Sequence, residues 1–214
     1  MVQDEKTRIL PEETGWKRYG LLLKRHYRKL FQVELLVLLS ALPVVTLPAG
    51  IAGANRVFIK LIREGNVLVW QEWKEGFLNS LRESIVLGAF YCLLLFWGSW
   101  MAQSSALTLR CLGLLVIFGS LLWATSTFYL LAVQELTWGK LLKNGCILLF
   151  LGIRETGLVS LLLLIELAGG VLLFPYSIFS LILGIPALFH FTKCWVLWGP
   201  VERLIVMPLE QGRK

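Results

Sequence analysis

The sequence predicts an all-α fold, a polytopic transmembrane helix bundle with juxtamembrane amphipathic helices. Three observations predict it. The chain of 214 residues is 57% hydrophobic and only 16% charged, with a mean hydropathy of +0.70, too little polar surface to cover a water-soluble globule. Its apolar residues fall into runs of membrane-crossing length, separated by amphipathic stretches. The net charge of +7 sits mostly between those runs, as expected of loops facing an anionic leaflet. A nucleic-acid-binding protein would need a basic solvated domain, and the sequence has none.

Residues 1–30 read as a basic cytoplasmic or interfacial segment without the early apolar core and cleavage site of a signal peptide. From Thr14 to Leu30 the aromatic and leucine positions Trp16, Tyr19, Leu23, Tyr27 and Leu30 recur at helical spacing, with lysines and arginines on the other faces. Such a helix suits the surface of an anionic bilayer. The bundle then occupies residues 31–198, opening with a proline-broken hairpin over 31–62.

That hairpin, LLVLLSALPVVTLPAGIAGANRVF at its centre, organises the remainder. Pro43 and Pro48 each remove a backbone donor, and the Thr46 hydroxyl can satisfy carbonyls freed by the break. Ala49, Gly50, Gly53 and Ala54 follow as a face of small residues for close helix packing. Residues 66–84 read as an in-plane helix with Trp70, Trp73, Phe77 and Leu81 in one stripe. Residues 85–101 read as a span ending in Trp97 and Trp100, Gln103–Arg110 as a turn, and 111–133 as the next span. An interfacial helix over 137–153 precedes a span over 157–174, a turn at Pro175–Tyr176, and a last span over 178–198 stopped by Gly199 and Pro200. Residues 199–214 form a cytoplasmic tail.

Basic residues cluster in the N-terminal segment, in Arg56–Arg82, in Lys140–Arg154 and from Lys193 onward, with Arg110 apart. If 31–62 enters and returns, there are six membrane segments and all four clusters share the cytoplasmic side with both termini. If it crosses once, there are five and the clusters are split. Trp73 to Asn79 with Leu81-Arg82-Glu83-Ser84, and Trp138 to Asn144 with Ile153-Arg154-Glu155-Thr156, suggest an imperfect internal repeat; converged composition is the other reading.

Glu166 is the main charge inside an apolar run, where a carboxylate is expensive. It is either a proton- or cation-linked group, a buried partner for Arg56 or His190, or a carboxyl kept neutral at a helix crossing. Glu34 lies nearer a span end, within reach of the interface. His190 reads as a helix-contact residue. Cys92, Cys111, Cys146 and Cys194 have no ligand spacing. No catalytic, cofactor-binding or metal motif is present, so the expectation is a non-enzymatic protein without cofactors.

Over roughly Gly20–Trp198 the chain resembles the YesL-like bacterial integral membrane proteins, a domain family of unknown function. The resemblance is carried by Pro43-Val44-Val45-Thr46, by Ala54-Asn55-Arg56-Val57, by Trp73 to Asn79, and by Leu136-Thr137-Trp138 through Asn144 with Ile153-Arg154-Glu155-Thr156. The chain departs from that family at Val33-Glu34 and Arg154-Glu155. The resemblance implies a multi-pass protein of the bacterial plasma membrane, encoded near carbohydrate uptake systems. The expected function is therefore an accessory component that docks on a membrane transporter complex or on a second copy of itself. The alternative is a small transporter or permease subunit that uses a buried carboxylate, motivated by the broken helix, the repeat and Glu166. An intramembrane enzyme is the least favoured.

Overall fold

The computed structural model describes residues 15–133, 137–172, 174 and 184–203. All regular structure among them is helical: α1 (Trp16–Ala41), a 3₁₀ turn (Val44–Thr46), α2 (Leu47–Glu64), α3 (Val69–Ala102), α4 (Leu107–Val133), α5 (Trp138–Leu151), α6 (Ile153–Leu172) and α7 (Ile185–Val201). Three stretches, Val44–Glu64, α3 and α4, are long and apolar enough to cross a membrane, and α5 with α6 makes a fourth if the bent pair is one span.

The N-terminal segment and the first hairpin arm form one helix, α1, bent at His26 where φ is −116° and ψ 17°. The bend carries the basic half of α1 across the end of α2. There Arg18 donates to the Ile62 carbonyl at 2.7 Å, and Lys29 donates to the Val67 carbonyl at 2.8 Å and to Asn66 Oδ1. Arg18 serves an orphan carbonyl at the negative dipole end of α2 and Lys29 the connection that follows it, where the sequence alone had placed these cations toward lipid. Gly65 closes α2 in the left-handed region, at φ 71°.

His26 is buried at the bend, and its Nε2 has no hydrogen-bond partner among the described residues. Burial lowers its pKa below the usual 6.5, Lys29 and Arg25 lower it further, and a hydrogen bond to the Gly65 backbone opposes them. The folded protein therefore disfavours protonated His26. Its contribution is full above the unfolded value of about 6.5 and declines as the pH falls through the lower folded value. Thermal melts should show stability falling from pH 7.5 to 5, and His26→Gln should flatten that slope.

The proline break forms as a tight tip. Thr46 Oγ1 lies 2.6 Å from the Ser40 carbonyl and 2.9 Å from that of Pro43, sharing its proton between them. Pro48 occupies the first turn of α2, where a missing N–H costs nothing. Leu42, Val44 and Val45 are exposed at the tip. Pro48 rests on Gly88, where an added methyl would come within 2.8 Å of its ring.

α2 is the central helix. Of its most apolar window 61% is buried, against 17% for α3 and 11% for α4. Ala49, Gly50, Gly53 and Ala54 are all buried inside the bundle. Gly50 abuts Ser40 of α1, and a methyl on Gly53 would lie 2.9 Å from the Trp73 carbonyl of α3. Glycines thus set the approach of α1 and α3 to the central helix.

α3 is a single unbroken helix, so the boundary expected at Ser84–Ile85 between an in-plane helix and a span is absent. Leu81-Arg82-Glu83-Ser84 contains neither glycine nor proline to interrupt it. The aromatic stripe is used on α2: Trp73 is buried, its Nε1 donates to the Gly50 carbonyl at 3.3 Å, and it stacks on Phe77. α3 and α4 cross where Gly98 meets Gly113, and Tyr91 shares a 2.7 Å hydrogen bond with Thr127. Helix α4 begins at Leu107, so Arg110 belongs to the helix rather than the turn.

α5 and α6 meet at Gly152 with a bend of 101°. Ile153-Arg154-Glu155-Thr156 opens α6 immediately after that bend, whereas Leu81-Arg82-Glu83-Ser84 lies in the uninterrupted interior of α3. The two copies of the sequence repeat are therefore not equivalent in the fold. Residues 175–183, including the expected turn at Pro175–Tyr176 and the start of the last span, lie outside the described residues. α7 continues through Gly199 and Pro200 to Val201, with the proline in its last turn, so these two residues do not stop the helix where the sequence predicted.

Candidate functional site

Asn55, at the middle of α2, is a node. Its Nδ2 donates to the Phe128 carbonyl of α4 at 3.2 Å, which orients the amide and leaves Oδ1 facing α7. That oxygen accepts His190 Nε2 at 2.8 Å and Cys194 Sγ at 3.2 Å. His190 therefore carries its proton on Nε2 and presents Nδ1 as an acceptor. Tyr129 of α4 donates to the Cys194 carbonyl at 3.1 Å. A buried amide with each polar atom bonded ties α2, α4 and α7 together, and leaving any partner unpaired would be costly.

One helical turn away, Lys193 of α7 donates to Glu166 Oε2 of α6 at 2.8 Å. Glu34 of α1 lines the same cavity, close enough to feel both charges, and is 7% exposed. The cavity measures about 270 Å³. Its walls are mostly apolar, from Val37, Ile51, Leu121, Phe128 and Leu163, and its polar groups come from five helices, α1, α2, α4, α6 and α7. Three ionisable side chains on α1, α6 and α7 thus converge among apolar helices.

Arg56 is elsewhere. It pairs with Glu75 at 2.5 Å and reaches Glu72 at 3.6 Å, while Lys60 pairs with Glu72 at 2.5 Å. These pairs edge a polar groove of about 670 Å³ between α2 and α3. The sequence expectation that Glu166 is a partner for Arg56 or His190 is therefore corrected: its partner is Lys193, one turn's reach from His190 on the same helix. Glu34 is likewise corrected from an interfacial position to a buried one, because α1 packs its Glu34 face inward against α7. Lys193 and Asn55 were not read as site residues from the sequence, and Cys194 was read only as a cysteine without ligand spacing. Lys193 looked like part of a basic end, and only the packing of α7 on α6 turns it inward.

The arrangement can hold a charged or polar solute and stabilise it by hydrogen bonds and Coulomb attraction. Among the described residues no group of three His, Cys, Asp or Glu side chains is placed to hold a metal ion. His190 and Cys194 both point at the Asn55 oxygen, an arrangement that satisfies them rather than activating a thiol. The chain matches no protein-family model, no curated protein and no solved structure.

Proposed function

We propose that the chain is a non-enzymatic, polytopic integral membrane protein of the bacterial plasma membrane that handles a small charged solute, as a small transporter or permease subunit. One observation carries the reading: Glu34, Glu166 and Lys193, from three different helices, line one cavity among apolar helices. Ionisable groups inside a membrane are expensive and mark solute or ion pathways. The broken α1–α2 hairpin beside that cavity is a second transporter-like feature.

In this reading the hairpin is re-entrant. Pro48, just past the tip, lies against Gly88, partway along α3, and the exposed tip residues Leu42, Val44 and Val45 are apolar, as hydrocarbon requires. The two arms count as membrane segments without a crossing. Both termini and the basic groups outside the cavity then share the cytoplasmic side, Lys193 being turned inward to Glu166, and the turn before α4 faces the opposite side.

The resemblance to the YesL-like family supports a second reading, an accessory component docking on a carbohydrate transporter complex. The observation favouring it is that Pro43–Thr46, the most distinctive shared element, forms an exposed apolar tip. Proteoliposomes separate the two. With a pH-sensitive dye inside and an imposed potassium diffusion potential, the transport reading expects proton-linked flux that drops at least ~10-fold in Glu166→Gln, the scale of removing one essential group. Recovery of a transporter complex in a pull-down, with no flux from the chain alone, would favour the accessory reading.

A further inference from the structure

Glu166 has a counter-charge in Lys193, 2.8 Å away. Glu34 has none. It is 93% shielded, at 7% exposure, and among the described residues its carboxylate makes neither hydrogen bond nor ion pair. Glu34 lines the cavity. The charged and titratable groups around it are Glu166 from α6 and His190, Lys193 and Cys194 from α7, with Asn55 from α2 and Tyr129 from α4 already bonded to α7. Two carboxylates therefore share one ammonium in surroundings that penalise unbalanced charge.

We infer that the cavity is a binding site for one monovalent cation, with the Glu34 carboxylate as its open ligand. The inference rests on the transport reading for its biological use and names the class of solute. One positive charge balances the site, whereas a divalent ion would overcharge it and an anion would meet two carboxylates. A cavity of about 270 Å³ exceeds the ~30 Å³ share of one water, so it admits a hydrated alkali ion or a small organic ammonium. A proton on Glu34 is the smallest form of the same charge.

The test uses the purified full chain in detergent. Thermal melting is followed against sodium, potassium and methylammonium chloride, each at ionic strength matched with N-methylglucamine chloride, and against pH. The expected result is a saturable rise of about 5 °C near a hundredfold excess over Kd with one of the three cations, lost in Glu34→Gln. If none acts but acidification raises the melting temperature of the wild type relative to Glu34→Gln, the cation is a proton. Should Glu34→Gln fail to fold, Glu34→Asp keeps the charge and is expected to bind about tenfold more weakly. Melting unaffected by every cation and by acid, or affected equally in the Glu34 variants, would overturn the site. Liposome flux is then read for whichever cation shifts the melt: a shift without flux of that cation would leave the site standing and sink the transport reading, and flux without any shift would do the reverse.

Discussion

Lys193→Met is expected to destabilise the protein by about 3–5 kcal/mol, the scale of stranding a buried charge. The change removes the sole ammonium facing Glu34 and Glu166 among the described residues, while methionine fills nearly the same volume. Glu166→Gln in the same chain should recover most of the loss, since only Glu34 is then left charged. A double-mutant cycle by denaturant or thermal unfolding in detergent measures the coupling. Additive single effects would show that the 2.8 Å contact contributes nothing to the fold. Glu166→Gln alone should be milder, because its place at the cavity edge, 26% exposed, leaves the amide other partners.

Gly113→Val is expected to be the most damaging change at a helix contact. A methyl there would meet the Ala102 nitrogen, the Gly98 carbonyl oxygen at 2.6 Å and the Met101 carbonyl carbon at 2.9 Å. All three are backbone atoms, so no side chain can rotate away and the α3–α4 crossing must open. Overpacking of this kind costs about 1–3 kcal/mol or more. Gly119→Val on the same helix is the control, since nothing lies within 4 Å of its added carbon, and its effect should stay within about 0.5 kcal/mol. Equal losses at the two positions would point to helix propensity rather than to the crossing.

Much of the helical order was legible because composition, proline position and small-residue spacing are local signals. The break at Pro43–Pro48, its satisfaction by Thr46 and the packing face from Ala49 to Ala54 each follow from chemistry within a few residues. The boundary drawn at Ser84–Ile85 came from a change in composition, yet a helix continues through such a change when nothing interrupts its ladder. The site was legible only in part. Glu166 stood out as a charge in an apolar run, but Lys193 lies 27 residues away and Glu34 still farther. Which residues meet there depends on how α1, α6 and α7 are rotated, and no periodicity reports rotation between helices. Asn55 was passed over because an asparagine among alanines and glycines resembles filler until its neighbours are in place.

The burial of α2 bears on how the protein is made. Synthesis delivers α1 and α2 before α3, α4 and α7, the helices that enclose them. On leaving the ribosome, α2 carries Arg56, Lys60 and Asn55 without the glutamates, carbonyl and histidine that later satisfy them. A hairpin so furnished is a poor passenger for lateral release into lipid. It must wait at the insertion machinery or at the headgroup surface until its walls emerge, so α7, starting only at Ile185, completes the enclosure of α2, which ends at Glu64.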